Sequence, residues 1–149
     1  MRYFEDYEVG ELRHIGSYEV SRDEIVEFAR RFDPQPFHID EAAARESIFG
    51  GLTGSSCYTF ALMSLIHSRC DEQSALVANL GAESLRFPSP LRPDDEITLS
   101  TECTALRASK TRPGIGIVTT RSFLTNQRDE TVMEMTTNFM VKRRDEWGR

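Results

Sequence analysis

Two side chains that can move protons stand five positions apart in the sequence, the carboxyl group of Asp33 and the imidazole of His38. Pro34 and Pro36 lie between them, and proline fixes φ and lowers the entropy cost of holding one geometry. Histidine exchanges a proton near neutral pH, and a carboxylate can orient it or act as a base. The spacing indicates an acid/base pair, although a surface aspartate next to a packed histidine gives the same pattern.

The other reactive side chains form no comparable motif. His14 and His67 have no partner motif, so we expect structural roles for both. Cys57 lies in an apolar run, where formation of a thiolate is disfavoured. The segment Gly114-Ile115-Gly116 lacks the third glycine of a dinucleotide-binding fingerprint and follows a proline turn. Nucleophilic catalysis and nucleotide-cofactor binding are therefore not expected.

The order Asp33-Pro34-Gln35-Pro36-Phe37-His38 resembles the motif of the MaoC-like dehydratases, which include the R-specific enoyl-CoA hydratases. That motif runs Asp, any residue, Asn or sometimes Gln, Pro, an apolar residue, His. The context adds to the resemblance: Phe49-Gly50-Gly51 follows the next helix, and Leu85-Arg86-Phe87 and Pro90 to Asp95 look like the family's strand and the turn after it. The resemblance covers nearly the whole chain.

The resemblance implies a single hot-dog domain over residues 1–149, in which a curved antiparallel sheet wraps one long helix. Members usually form homodimers with sites near the subunit interface. Asp33 and His38 would position and activate a water that adds to a 2-enoyl thioester, or leaves a 3-hydroxyacyl thioester in the reverse direction. The chain would then be a hydro-lyase for acyl-CoA-type substrates of fatty acid metabolism. No cofactor is expected, and a metal held by Asp33, His38 and Asp40 is not expected either.

A second requirement of this chemistry is a donor for the thioester oxygen, and backbone N–H groups at a helix N-terminus suit it. The family's glycine before the central helix falls on Ser56, and Gly54 is the alternative if the alignment slips. Either Ser55 or Ser56 can instead serve as the helix cap. Ser64 matches a serine that lies near the pair in R-specific hydratases, but a helix serine can also bond its own backbone.

Two other functions remain open at this stage. The serine in place of the family glycine keeps open a hot-dog protein that binds acyl thioesters without turnover. A thioesterase shares the fold, although the order Asp-Gln-Pro-His speaks against it. Release of free CoA thiol, and tight binding without turnover, are the observations that separate these functions from a hydratase.

The elements before the reactive pair and after it are predicted to be helices. Ser21 and Glu24 form a candidate capping box, and apolar residues then follow at helical spacing until Asp33-Pro34 ends the helix. The segment from Pro34 to Pro36 is expected to be extended or turned. Asp40 can cap a second short helix over residues 41–45. A helix over residues 57–69 is apolar on nearly every side, which predicts an interior position.

After residue 75 the hydrophobic period changes to two. Strands are predicted over residues 75–80 running on toward 87, and over 96–105, 116–125 and 131–143. In the last strand one face carries Met133, Met135, Thr137, Phe139 and Val141. Short turns rich in Pro, Gly, Asn and Asp join the strands, so they should be mainly antiparallel. One apolar helix with such a sheet indicates an α+β layout.

Composition restricts the class of protein. With 39% hydrophobic and 28% charged residues, the chain is neither disordered nor membrane-like. A net charge of −6 with scattered basic residues argues against a nucleic-acid partner. No signal peptide or membrane-length apolar run is visible, so a cytoplasmic location is expected. The three cysteines fit no zinc pattern and are expected to be reduced and mostly buried.

Overall fold

The computed structural model describes residues 1–144, which form four helices and a five-stranded sheet. The elements are β1 (Leu12–Glu19), α1 (Arg22–Phe32), α2 (Pro36–Ile39), α3 (Glu41–Glu46), α4 (Ser56–Ser68), β2 (Leu76–Arg86), β3 (Glu96–Ala108), β4 (Ile115–Thr125) and β5 (Thr131–Lys142). A short 3₁₀ turn, Phe4–Asp6, precedes β1. The α+β layout predicted from the sequence is confirmed.

The first helix begins as predicted, but its capping box is only half formed. The Ser21 hydroxyl accepts a hydrogen bond from the backbone N–H of Glu24 at 3.3 Å. The Glu24 carboxylate does not complete the box; it accepts hydrogen bonds from the hydroxyls of Tyr18 and Tyr58. Burial, followed by the charge of Glu24, raises the pKa of Tyr58, so its hydroxyl stays a donor. Glu24 therefore ties α1 to both β1 and α4.

The segment around the two prolines is extended at Gln35, in line with the prediction, but a helical turn that was not predicted begins at Pro36. Residues Pro36–Ile39 form α2, a single helical turn with Pro36 in its first position. Proline is tolerated there because the first N–H groups of a helix have no intrahelical acceptor. Asp40 then caps α3, accepting a hydrogen bond from the N–H of Ala43 at 2.8 Å, as predicted. His38 thus lies on a helical turn, directly after the segment that was expected to be extended or turned.

The sheet has the strand order β1-β3-β4-β5-β2, and every neighbouring pair is antiparallel. The predicted period of two in β5 is confirmed, since Met133, Met135, Thr137 and Val141 are buried. β1 and β2 are the two edge strands. All eleven residues of β2 are exposed, which leaves this edge open along its full length.

Helix α4 packs on the sheet with only part of its surface. Tyr58, Leu62 and Ile66 are buried in the main core, together with apolar side chains of β1, β3, β4 and β5. Much of the remaining helix surface is exposed, at Ser56, Cys57, Phe60, Ala61, Ser64, His67 and Ser68. The expectation that this helix is buried on nearly every side is therefore wrong for the single chain. No helix within residues 1–144 has the length and hydropathy needed to cross a membrane.

The cysteines correct a second expectation. All three are free, but only Cys103 is buried, while Cys70 is intermediate and Cys57 is exposed. Cys57 is exposed because it lies on the open face of α4, one position into the helix. The apolar run around it does not translate into burial, since part of α4 faces away from the sheet.

Candidate active site

Asp33 occupies the position where α1 ends. Its backbone N–H closes the last turn on the carbonyl of Ala29 at 2.8 Å, and its φ and ψ of −154° and 72° leave the helical region. The helix ends here because Asp33 precedes Pro34, and the residue before a proline is displaced from helical geometry. The Asp33 side chain is 27% exposed, so its carboxylate borders solvent on one side.

His38 lies on α2 and is 7% exposed. Its ring packs edge-on against Phe37, with centroids 4.6 Å apart, and Phe37 in turn packs against Phe49. One side of the imidazole is therefore held by aromatic contact. The helical turn that begins at Pro36 carries this ring back toward the end of α1.

The two ring nitrogens of His38 have different partners. Nδ1 lies 2.6 Å from the backbone carbonyl of Thr53. A carbonyl only accepts, so Nδ1 must carry the hydrogen of this bond. Nε2 points to Asp33 and lies 3.6 Å from Oδ2, which is too long for a direct hydrogen bond. In the neutral ring Nε2 is then the unprotonated nitrogen, and it faces the Asp33 carboxylate. The structure therefore brings Asp33 and His38 together.

The Thr53 carbonyl belongs to a loop whose backbone is hydrogen-bonded by the side chain of Arg92. The Arg92 guanidinium donates to the carbonyls of Gly51 at 2.8 Å and Leu52 at 3.3 Å, and to that of Phe49. One residue further on, the Gly54 N–H donates to the carbonyl of Leu91 at 2.8 Å. The loop that orients His38 is thus fixed to the turn before β3.

A buried carboxylate fixes that turn. Asp95 is 1% exposed, and its Oδ2 accepts from the backbone N–H of Arg92 at 2.9 Å. Its Oδ1 accepts from Gln127 at 3.0 Å and from Arg128 at 3.3 Å. A buried carboxylate with this many donors holds a rigid backbone geometry. Thr53, Arg92 and Asp95 therefore form a hydrogen-bonded support behind His38.

Sequence reasoning missed this support. Thr53 contributes only its carbonyl, which every residue type has, so no residue pattern marks it. Arg92 lies in the Pro90 to Asp95 segment that resembles the family's turn, but its partners are backbone groups about forty positions away. The one feature of the sequence that could have indicated this support is the turn Arg92-Pro93-Asp94-Asp95, in which charged residues flank a proline.

At the start of α4, the residues Gly54, Ser55 and Ser56 have different roles. Ser55 is the cap: its fully buried hydroxyl accepts from the N–H of Tyr58 at 3.0 Å. Ser56 is the first helical residue, with an exposed side chain, and within residues 1–144 its N–H has no acceptor. The N–H of Gly54 is already used by Leu91. A Cβ on Gly54 would lie 2.9 Å from Leu91 Cδ2, so the glycine permits close packing.

A pair of serine variants tests this division. Ser55→Ala is expected to lower the free energy of unfolding by about 1 kcal/mol, since it removes the cap of a buried helix end. Ser56→Ala, one position on, should change stability by less than about 0.5 kcal/mol because its hydroxyl is exposed. Chemical denaturation of both variants measures the difference. Equal losses would contradict the assignment of Ser55 as the cap.

Ser64 lies two turns after Ser56 on the exposed face of α4, roughly 12 Å along the axis. It lines a cavity of about 330 Å³ between the second half of α4 and the sheet. Neither Asp33 nor His38 lines this cavity. Ser64 lies on α4, whereas Asp33 ends α1 and His38 lies on α2, so the expected position of Ser64 near the pair stays a prediction. Within residues 1–144, no group of three or more metal-ligating side chains is clustered.

Comparison with known proteins shows the same fold and a matching family. A family model described as a MaoC like domain matches residues 8–124. The crystal structure of the MaoC-like dehydratase from Rhodospirillum rubrum is 38% identical in sequence. It covers 97% of this chain and 99% of its own, with a TM-score of 0.91. This likeness confirms the predicted hot-dog fold.

Two further relatives extend over most of the chain. The (R)-hydratase from A. caviae involved in PHA biosynthesis is 28% identical, with a TM-score of 0.66, and covers 93% of this chain and 98% of its own. The uncharacterized protein YdeM of Bacillus subtilis (strain 168) is 29% identical over 140 residues, which are 93% of this chain and 98% of that protein. The matches thus extend well beyond the segment that holds Asp33 and His38.

Proposed function

Because the chain belongs to the MaoC-like domain family, we propose that it is a hydratase or dehydratase that acts on acyl-CoA-type thioesters. The dehydratase and hydratase named among its structural relatives support this class of reaction. The observation that carries the proposal is the gap of 3.6 Å between His38 Nε2 and Asp33 Oδ2, with Nδ1 fixed by the Thr53 carbonyl. We further propose that the chain forms one domain.

In the proposed reaction a water binds between His38 Nε2 and the Asp33 carboxylate. The pair accepts a proton from this water as the water oxygen bonds to C3 of the enoyl thioester. The pair then returns a proton to C2. Hydration consumes one water and leaves a 3-hydroxyacyl thioester, and dehydration is the reverse. Since Nδ1–H is held by Thr53, Nε2 is the nitrogen that exchanges the proton.

Negative charge builds on the thioester oxygen as C3 is attacked. We propose that the Ser56 N–H stabilises this oxygen, because it lies at the N-terminus of a 13-residue helix and has no acceptor within residues 1–144. Gly54 is the weaker candidate, since its N–H is already bonded to Leu91. The serine side chain in place of a glycine does not remove the donor, because the N–H is a backbone group.

The proposal is tested by incubating the purified protein with 2-enoyl-CoA esters of increasing chain length. Loss of the enoyl absorbance, with formation of the 3-hydroxyacyl-CoA detected by mass spectrometry, is the expected result. Release of free CoA thiol would instead identify a thioesterase. Tight binding of every ester without conversion would identify a non-catalytic binding protein.

We also propose that the chain forms a homodimer through β2. This strand bonds only to β5, all its residues are exposed, and Leu76, Val77, Leu80 and Leu85 are large apolar side chains on it. An open apolar edge strand favours pairing with another chain. Pairing of β2 with β2 of a second copy would join the two sheets and bring a partner's surface against the exposed face of α4.

Leu80→Glu is expected to weaken the dimer at least tenfold, since it places two carboxylates at the proposed joint between the sheets. Light scattering coupled to size-exclusion chromatography measures the mass across a dilution series. Leu12→Glu is the matched control, because Leu12 is also an exposed leucine but lies on β1, the opposite edge. A Leu80→Glu protein that stays dimeric at all concentrations would exclude the β2 interface.

A further inference from the structure

The cavity beneath the second half of α4 has a polar wall. It measures about 330 Å³ and is bounded by the helix and by β4 and β5. Thr120, Ser122 and Thr137 are buried residues of the sheet that carry hydroxyl groups, and the exposed Ser64 adds a hydroxyl group from the helix. Met63 and Met135 supply apolar surface beside them. A chamber built only for an alkyl chain would have no use for hydroxyls at these positions, because each costs free energy when it loses water.

Thr137 is the hydroxyl in this wall that lacks a partner. It is 6% exposed, and its Oγ1 is buried without a hydrogen bond. Thr120 lies directly opposite on β4, but no hydrogen bond joins the two side chains. Buried hydroxyls are nearly always hydrogen-bonded in native proteins, so a missing partner calls for an explanation. A ligand oxygen in the cavity would provide one.

A second buried group without a full set of partners stands next to this cavity. A smaller cavity of about 30 Å³ adjoins it and shares His67, Ser74, Thr120 and Phe139 as lining residues. Arg2 lines this smaller cavity and is 3% exposed. Its Nη2 donates to the Asp6 carbonyl and to Glu11, and the guanidinium lies over the Tyr7 ring, but its Nη1 has no hydrogen-bond partner.

Within residues 1–144, Arg2 Nη1 and Thr137 Oγ1 are the two buried side-chain polar atoms without a partner. Both belong to residues that line these adjoining cavities. Such atoms are expected to be few and scattered if they are only packing defects. Their location on two adjoining cavities is the observation that points to an oxygen-bearing ligand there.

The charges around the smaller cavity are close to balanced. Arg2 pairs with Glu11 at 2.5 Å, and Arg13 pairs with Glu72 at 2.9 Å. Desolvation, and then the charge of Arg13, lowers the pKa of His67, which favours the neutral ring. The wall thus offers hydrogen bonds without a large excess of positive charge, which suits a hydroxyl, a carbonyl or a single carboxylate.

We propose that this chamber receives the acyl chain of the substrate and selects chains that carry an oxygen function near their far end. The inference rests on the proposed hydratase function for the identity of the ligand as an acyl thioester. Thr137 and Arg2 are the specificity-determining residues: both hydrogen-bond the oxygen function of the chain, Thr137 Oγ1 from the larger cavity and Arg2 Nη1 from the adjoining smaller one. An unsubstituted chain of the same length leaves both atoms without partners and binds less tightly.

The test uses saturated acyl-CoA esters, which bind but cannot be hydrated or dehydrated. Calorimetry compares three series matched in length from butyryl to octanoyl: unsubstituted, with a terminal hydroxyl, and with a terminal carboxylate. At the optimal length an oxygen-bearing ester is expected to bind about tenfold tighter than its unsubstituted counterpart. Tighter binding of the unsubstituted ester at every length would overturn the proposal.

Thr137→Val removes the hydroxyl at nearly constant volume and should abolish most of this preference. Thr136→Val is the matched control, since Thr136 is the neighbouring threonine on the other face of β5 and does not line the cavity. Arg2→Lys keeps the charge but shortens the donor, and it should weaken the hydroxyl or carboxylate series, whichever wild type prefers. A Thr137→Val protein with an unchanged preference would contradict the assignment.

The binding assay separates this inference from the proposed reaction. Preferential binding of oxygen-bearing esters by a protein that hydrates no enoyl-CoA would overturn the hydratase function and leave the chamber's selectivity standing. Hydration of enoyl-CoA by a protein that binds all three series equally would overturn the selectivity alone. A protein that binds none of the esters would overturn both.

Discussion

His38→Ala is expected to lower kcat/KM for enoyl thioester hydration by about 10²–10⁴-fold, and Asp33→Asn by a similar factor. The imidazole variant loses Nε2, the nitrogen that faces Asp33 across 3.6 Å. The asparagine variant keeps the shape of the side chain but cannot accept a proton. Steady-state hydration rates of purified, folded protein measure both effects.

Control substitutions of the same residue types distinguish the loss of a catalytic group from a general effect of substitution on the protein. His14→Ala removes an exposed imidazole on β1, and Asp71→Asn changes an exposed carboxylate in the loop before β2. Both should keep the wild-type rate. His38→Ala and Asp33→Asn proteins that unfold at the wild-type temperature but turn over at full rate would eliminate the pair as the acid/base machinery.

The double variant carries additional information. If Asp33 and His38 share one water, removing the second group after the first should cost little more, because the water is already misplaced. The double variant should then be nearly as active as the weaker single variant. Losses that multiply would instead show that the two groups act on separate steps or separate protons.

The parts of the fold set by short-range signals were predictable from sequence. The caps at Ser21 and Asp40 formed where the residue types indicated, because a cap needs only a side chain and a backbone N–H three positions on. The strands of the second half also formed close to their predicted limits, since alternation and turn residues are local properties.

Helix α2 and the exposure of α4 were not predictable in the same way. Residues Pro36–Ile39 make a single turn, which is too short to show a helical period, and two prolines so close together indicate extended chain. The apolar face of α4 left uncovered in one chain depends on what else packs there. A sequence pattern reports which residues avoid water but does not say whether the same chain or another one covers them.

The pairing of Asp33 with His38 was predicted, but its orientation was not. The spacing and the prolines indicated that the two groups lie close together. Which ring nitrogen faces the carboxylate depends on the Thr53 carbonyl, and the position of that carbonyl depends on Arg92. Hydrogen bonds from a side chain to distant backbone groups leave no trace in residue spacing, so this part of the site became visible only in three dimensions.

Arg92→Met is expected to lower kcat about 10- to 100-fold with a small change in KM, although Arg92 does not contact Asp33 or His38. The variant leaves the carbonyls of Phe49, Gly51 and Leu52 without their shared donor, so the loop that ends at Thr53 loses its anchor. Displacement of a reacting group by about 1 Å can cost roughly 10²-fold in rate. Unfolding should also become easier by about 1–3 kcal/mol, because buried acceptors lose their donor.

A spectroscopic measurement distinguishes positioning from simple destabilisation. In the wild-type protein the ¹⁵N shifts of the neutral His38 ring should report a single tautomer with the proton on Nδ1, held by Thr53. In Arg92→Met, measured well below its unfolding temperature, the proton should be shared between Nδ1 and Nε2. Tautomers with the proton on Nε2 remove the acceptor that the reaction needs, which links the spectrum directly to the fall in kcat.

Two further variants complete the argument about Arg92. Arg92→Lys supplies one ammonium group in place of the guanidinium fork and should recover part of both the rate and the Nδ1–H tautomer. Arg121→Met removes a guanidinium that pairs with Glu134 on the exposed face of the sheet, and it should leave the His38 spectrum and kcat unchanged. Arg92→Met could slow the reaction while His38 kept its wild-type tautomer. The loop would then act on another step, such as placement of the Ser56 N–H, because the same segment leads directly into α4.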